Sequence, residues 1–171
     1  VVAESNLITK IYFPRLIIPL SATLGGLLDF AIAFLLLVAM MLWFGVLPTW
    51  RLATVPLFLA LTVLASLSVS LWLSALFVKY RDVAALIPLL TQVWMFGSPV
   101  AYSASMVPQE WQAFYNLNPM VGVIGGFRWA LLGTPAPDPV FLAVNIVTIS
   151  VALLLGMAYF NRMANTFADV I

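Results

Sequence analysis

The stretch Asn6-Leu-Ile-Thr-Lys10-Ile-Tyr-Phe-Pro-Arg15-Leu-Ile-Ile-Pro-Leu20 divides the chain into two kinds of surface. Before Pro14, the apolar residues Leu7, Ile8, Ile11 and Tyr12 recur at helical spacing among Glu4, Asn6 and Lys10. That is the pattern of a short amphipathic helix, suited to a membrane surface or a protein groove. After Arg15 only one charge, Asp29, occurs before Arg51. Phe13-Pro14-Arg15 is therefore an elbow between a water-facing helix and a buried one. Proline disfavours helical geometry at Phe13, and Arg15 can reach phosphate headgroups while its stem stays in lipid. The plain alternative is an elbow that leads the chain into the membrane and has no partner.

Outward from the elbow, the composition points to the bilayer. Of 171 residues, 64% are hydrophobic and 8% charged, with a mean hydropathy of +1.13. A soluble domain carries about 25% charged residues. The fold class expected is an all-α integral membrane protein. A net charge of +1 gives no signal for a nucleic-acid partner, and none is expected. Cysteine and histidine are both absent. Thiolate nucleophiles, the usual zinc ligands and a Ser-His-Asp triad are thereby excluded from this stretch, and no metal site is expected. The start carries neither an initiator Met nor a signal peptide, since Glu4 and Lys10 interrupt it, so the expectation is a chain cut from something longer.

Crossing the hydrocarbon core takes about 20 apolar residues. Four spans are expected, over residues 19–44, 55–78, 83–102 and 140–160, in one membrane domain. Residues 1–13 form a separate amphipathic segment, and residues 103–138 a short helical hairpin that is re-entrant or interfacial. Trp43 and Trp50 are placed to anchor at an interface. Ser66, Ser68, Ser70 and Ser74 allow close helix approach and interhelical hydrogen bonds. Pro88 and Pro99 each remove a backbone donor, so the third span is expected to kink or fray toward its end. In the hairpin, Pro108 opens a helical stretch through Tyr115. Asn118-Pro119 reads as an N-cap followed by Pro at the first helical position, with Gly133 as the stop. Four spans put Lys10, Arg15, Lys79, Arg81 and Arg162 on one side and Arg51 and Arg128 on the other. The side with more positive charge is then cytoplasmic, with both ends inside and the hairpin outside.

Little in the sequence can make or break a covalent bond. None of the nine glycines is followed by the Lys-Ser/Thr of a phosphate-binding loop, and Asp29 is the one acidic residue inside a span. A charge at the centre of a membrane helix costs roughly 2.5–3.5 kcal/mol on insertion scales, so Asp29 should face a partner or water. Arg128 is a candidate partner, and a place on a substrate path is the other reading. Aromatic residues crowd the third span and the hairpin: Trp94, Phe96, Tyr102, Trp111, Phe114, Tyr115, Phe127 and Trp129. An interfacial belt accounts best for Trp111 and Trp129. Trp94 lies deeper, where a stacking surface for sugar rings stands level with it.

Several runs then resemble one family. They are Asn6-Leu-Ile-x-Lys10-x-Tyr12-Phe13-Pro14-Arg15, Val78-x-x-Arg81-Asp82-Val83, and Gln92-x-Trp94-x-Phe96-x-Ser98-Pro99-Val100. Asn118-Pro119-Met120, Gly126-Phe127-Arg128 and the closing Phe167-Ala-Asp169-Val-Ile complete the set. Together they resemble the permease subunits of ABC-2-type transporters, specifically exporters of O-antigen, capsule and teichoic acid polysaccharides. The resemblance covers essentially the whole chain. It implies a six-span permease of which the last four spans are present. It also implies a permease homodimer with two separate ATPase subunits, which bind ATP and Mg, so this chain needs no cofactor and is not an enzyme. The cargo implied is a lipid-linked polysaccharide, and the place is a bacterial inner membrane among its lipids. By resemblance, Lys10, Ile11, Tyr12, Phe13, Pro14 and Arg15, with Arg81 and Asp82, couple to the ATPase. Asp29, Gln92, Trp94, Phe96, Pro99, Tyr102, Asn118, Pro119 and Arg128 belong to the translocation path and its outer gate. The alternatives are an ABC-2 permease for drugs or lipids, and a passive channel or assembly scaffold.

Overall fold

The structure, a computed structural model, describes residues 17–80 and 82–164. These fold into helices α1 (Ile17–Trp43), α2 (Val55–Lys79), α3 (Val83–Phe96), α4 (Gln109–Tyr115), α5 (Pro119–Leu132) and α6 (Pro139–Ala164). Two 3-10 turns, Trp50–Thr54 and Ala104–Met106, lie between them, and the described residues include no strand. The chain has the all-α membrane class that its composition leads one to expect. Leu24–Trp43, Trp50–Phe77 and Pro139–Met163 are each long and apolar enough to cross a membrane.

α2 and α6 form the packed centre and run parallel. Phe58, Leu61, Ala65, Ser68, Leu71 and Ala75 recur every three or four residues along α2 and are buried, so one stripe of that helix faces its neighbours. At one end Phe58, Leu61 and Ala65 pack with Ile149 of α6 and Val123 of α5. At the other, Leu71 and Ala75 pack with Phe160. Between them Gly156 lets Trp72 lie against α6, where a methyl would sit 3.1 Å from the indole. Trp72 stacks on Tyr159 and its Nε1 donates to the Ala152 carbonyl at 3.0 Å.

Serines do less of the joining than their spacing implies. The buried Ser68 hydroxyl donates to Ala65 O of its own helix at 2.7 Å, as Thr62 does to Phe58 O. In an apolar setting a hydroxyl takes the nearest free lone pair, and the carbonyl one turn back is always in reach. The tie between the two long helices is the Trp72 indole instead.

α5 crosses the α2–α6 pair antiparallel to α2. Gly126 faces Phe58 so closely that a methyl there would overlap the ring. Further along, Ala130 and Leu131 share a buried cluster with Met41 of α1 and Val55 of α2. Trp129 is held by Arg51, whose guanidinium lies 5.4 Å over its ring, and by an edge contact from Trp50. α1 also meets α5 through Phe30, whose ring lies 5.8 Å from that of Phe127, while Leu28, Ile32, Leu35 and Leu36 are exposed, as lipid-facing apolar residues can be.

α3 covers less of the 83–102 stretch than a full span. Its 14 residues reach about 21 Å, against a hydrocarbon core of about 30 Å. Pro88 lies inside the helix without ending it. The helix ends at Phe96, where the chain turns over residues 97–100, and Pro99 disfavours helical geometry at Ser98.

Candidate functional site

The end of α3 leaves carbonyls without helical partners, and side chains from the next two helices take them up. Asn118 caps α5 with its Oδ1, which accepts from Met120 N at 3.0 Å. Its Nδ2 donates outward to Gly97 O at 3.0 Å and to Ser98 Oγ at 3.1 Å. Arg128 spreads its fork over the same turn, donating from Nη1 to Tyr102 O at 2.9 Å and from Nη2 to Val100 O at 3.1 Å. Tyr115 of α4 donates to the Tyr102 hydroxyl at 2.8 Å, which in turn donates to Phe96 O at 3.0 Å. Burial and the hydrogen bond to Tyr102 push the Tyr115 hydroxyl well above its ordinary range, against a smaller opposing pull from Arg128. The Phe96 carbonyl can only accept, which fixes the direction of the relay. Pro99 is fully buried in this clasp.

On its other face the α4–α5 hairpin is held by Asn145, 1% exposed on α6. Asn145 Nδ2 donates to Asn116 O, at the end of α4, at 2.6 Å. Its Oδ1 accepts from Gly122 N, in the first turn of α5, at 2.9 Å. One amide thus ties both sides of the hairpin tip. The tip is deep: Val123 packs with Ala65 and Ile149, each ten residues inside its helix and so about 15 Å along it. α5 then climbs back to Gly133, which ends it in a left-handed conformation beside Arg51.

A cavity of about 390 Å³ opens beside the hairpin. Pro99, Ser103 and Ser105 line one wall, Gly125 and Arg128 another, and Asp138 closes an edge.

Of the residues expected on a path or gate, Pro99, Tyr102, Asn118, Pro119 and Arg128 come together here. The side chains of Gln92, Trp94 and Phe96 do not join them, Phe96 giving only its carbonyl; they lie exposed along α3, Trp94 at 44% and Phe96 at 64%. Asp29 is exposed on α1, and Arg128 engages carbonyls rather than this carboxylate. Asp82 is exposed just before α3, with its side chain making no cap. Lys10, Ile11, Tyr12, Phe13, Pro14, Arg15 and Arg81 lie outside the described residues. Sequence reasoning missed Asn145 and Gly122, and it named Ser98 only as part of a family run. The signal for Asn145 was available, since an amide six residues into an apolar span must find partners.

Comparison with known proteins gives this arrangement a relationship. The chain is similar to the O-antigen export system permease protein RfbA of Myxococcus xanthus, 27% identical over 169 residues, covering 97% of this chain and 65% of the relative. A protein of the same name from Klebsiella pneumoniae is 24% identical over 172 residues, covering 99% of this chain and 66% of the relative. The inner membrane transport permease YadH of Escherichia coli K12 is 40% identical over 63 residues, which is 36% of this chain and 24% of that one. The chain thus spans just under two thirds of the length of the two O-antigen permeases. The family model for ABC-2 type transporters matches residues 2–132. With most of its length matched by that model and three long apolar helices, this multi-pass membrane chain belongs to the ABC-2 type transporter family.

Proposed function

We propose that the chain is the greater part of a permease subunit that exports polysaccharide, driven by ATP hydrolysed in a separate subunit. The observation that carries this is the similarity to O-antigen export permeases along 97–99% of the chain. In this reading two permease copies enclose the path for a lipid-linked glycan in the inner membrane. ATP and Mg are bound by the partner ATPase, and the segment ending at Phe13-Pro14-Arg15 passes its motion on. With Lys10, Arg15, Lys79, Arg81 and Arg162 on the cytoplasmic side, α3 and the chain after it complete the fourth crossing and the α4–α5 hairpin faces outward. Transport needs no covalent step in this chain. It needs two states with different contacts, and the polar clasp at the end of α3 supplies groups that can be exchanged for water or for sugar hydroxyls.

The test is restoration of surface polysaccharide in a bacterium lacking its own exporter, given the full-length permease with its ATPase. Surface polymer that appears only with both subunits is the expected result. Correct insertion with no polymer at the surface would overturn the reading. A second reading, export of another cargo, draws on the more identical 63-residue match to YadH, a permease whose name specifies no cargo.

A further inference from the structure

The hairpin is held along two seams of different character. Toward α6 the seam is dry at its inner part, around Asn145. Asn145 is 1% exposed, both polar atoms of its amide are used, and Val123 and Ile149, each 2% exposed, pack beside it. Gly122 is part of that fit, because a methyl on it would overlap the Asn145 amide. Parting this seam would leave an amide, an N–H and a carbonyl without partners among apolar side chains, which is costly. Toward the turn at residues 97–102 the seam is wet. Its donors Asn118 and Arg128 are only half-buried, and the cavity is lined by Ser103 and Ser105 on the turn and Gly125 and Arg128 on the hairpin, reaching Asn116 and Gly122 and the start of α6 at Phe141 and Leu142 without reaching Asn145. Water in that cavity can replace each hydrogen bond as it breaks. α3 itself is exposed from Leu89 to Gly97 in the single chain, so little but this clasp ties its upper end to the hairpin.

We propose that Asn145 is a positioning residue that makes the hairpin and α6 one moving body, so that outward opening parts the hairpin from the turn at residues 97–102. The proposal deepens the transport reading and rests on it only for the existence of an ATP-driven opening. Its test is therefore independent of cargo. Spin labels are placed on exposed positions, at Phe114 on α4 with Leu154 on α6, and at Phe114 with Leu89 on α3. Distances are measured by pulsed electron resonance in the full-length permease with its ATPase, without nucleotide and trapped with ATP and vanadate. Trapping should leave the 114–154 distance unchanged and shift the 114–89 distance by several ångströms. A larger shift in the 114–154 pair, or no shift in either, would overturn the proposal. In Asn145→Ala, the 114–154 distance should broaden while the protein stays inserted. If that distribution stays as narrow as in the parent, Asn145 is not the tie. Gly122→Ala should also broaden it, and Gly122→Ala with Asn145→Ala should be no broader than Asn145→Ala alone, since the shortened side chain vacates the space. If the parent complex moves as described yet exports no polysaccharide, the glycan reading fails and this one stands.

Discussion

α2 and α3 are both apolar helices, yet one is the packed centre of the molecule and the other is nearly bare. α2 buries a continuous stripe against α6 and α5, with glycines at Gly126 and Gly156 letting rings approach the backbone. α3 buries none of residues 89–97 and is tied at its end by side-chain amide, guanidinium and phenol groups. In lipid, apolar surface alone does not drive helices together, so close packing or polar contacts must. The difference teaches that attachment here depends on where the chain supplies small residues or donors. Hydrophobicity does not separate the two helices.

The comparison breaks most severely at Gly126. Gly126→Val should force the Phe58 ring aside and lower stability by about 1–3 kcal/mol, read as a fall in the melting temperature of the purified protein in detergent. An unchanged melting temperature would mean that α5 does not sit against α2 as described. Next comes Arg128→Lys. A lysine cannot span both Val100 O and Tyr102 O, so about 1–2 kcal/mol should be lost although the charge is kept. The check is the same melt, with Arg128→Ala as reference; a full rescue by lysine would show that charge alone matters. Trp72→Phe keeps the ring but removes the donor to Ala152 O, and should cost about 0.6 kcal/mol, measurable as a small shift in unfolding midpoint. The smallest effect is at Trp94. Its exposed ring contributes little to the single chain, so Trp94→Ala should change stability by less than about 0.5 kcal/mol. A drop in polymer export from that variant, with stability intact, would assign the exposed face of α3 to the path.

What could be read from the chain divides along the same line. Signals confined to neighbouring residues were legible: Asn118 and Pro119 start α5 and Gly133 ends it with a positive φ, whereas α3 stops at Phe96 although its span was expected to reach residue 102. Length and hydropathy made the all-α membrane class legible for the same reason. Contacts across the fold were not. Asn145 lies 29 residues from Asn116 and 23 from Gly122, and no local pattern says which carbonyl a membrane amide will find. Arg128 had a plausible carboxylate in Asp29, but three-dimensional proximity gave it carbonyls instead. The side chains of Gln92, Trp94 and Phe96 carry the family pattern without sharing the clasp, which takes from these residues only the Phe96 carbonyl.

The central claim is that the hairpin and the turn after α3 must part for a polysaccharide to leave. Ser98 Oγ and Asn118 Nδ2 are 3.1 Å apart, so the two side chains meet across this seam, and Ser98→Cys with Asn118→Cys is the pair to cross-link, in a stretch without other cysteines. Surface polysaccharide is measured in cells carrying that full-length double variant with its ATPase, under reductant and under mild oxidant, with cross-linking scored on the same samples. The account predicts export under reductant and its loss as the cross-link forms, reversed on reduction. Export that continues unchanged with the pair fully cross-linked would contradict it.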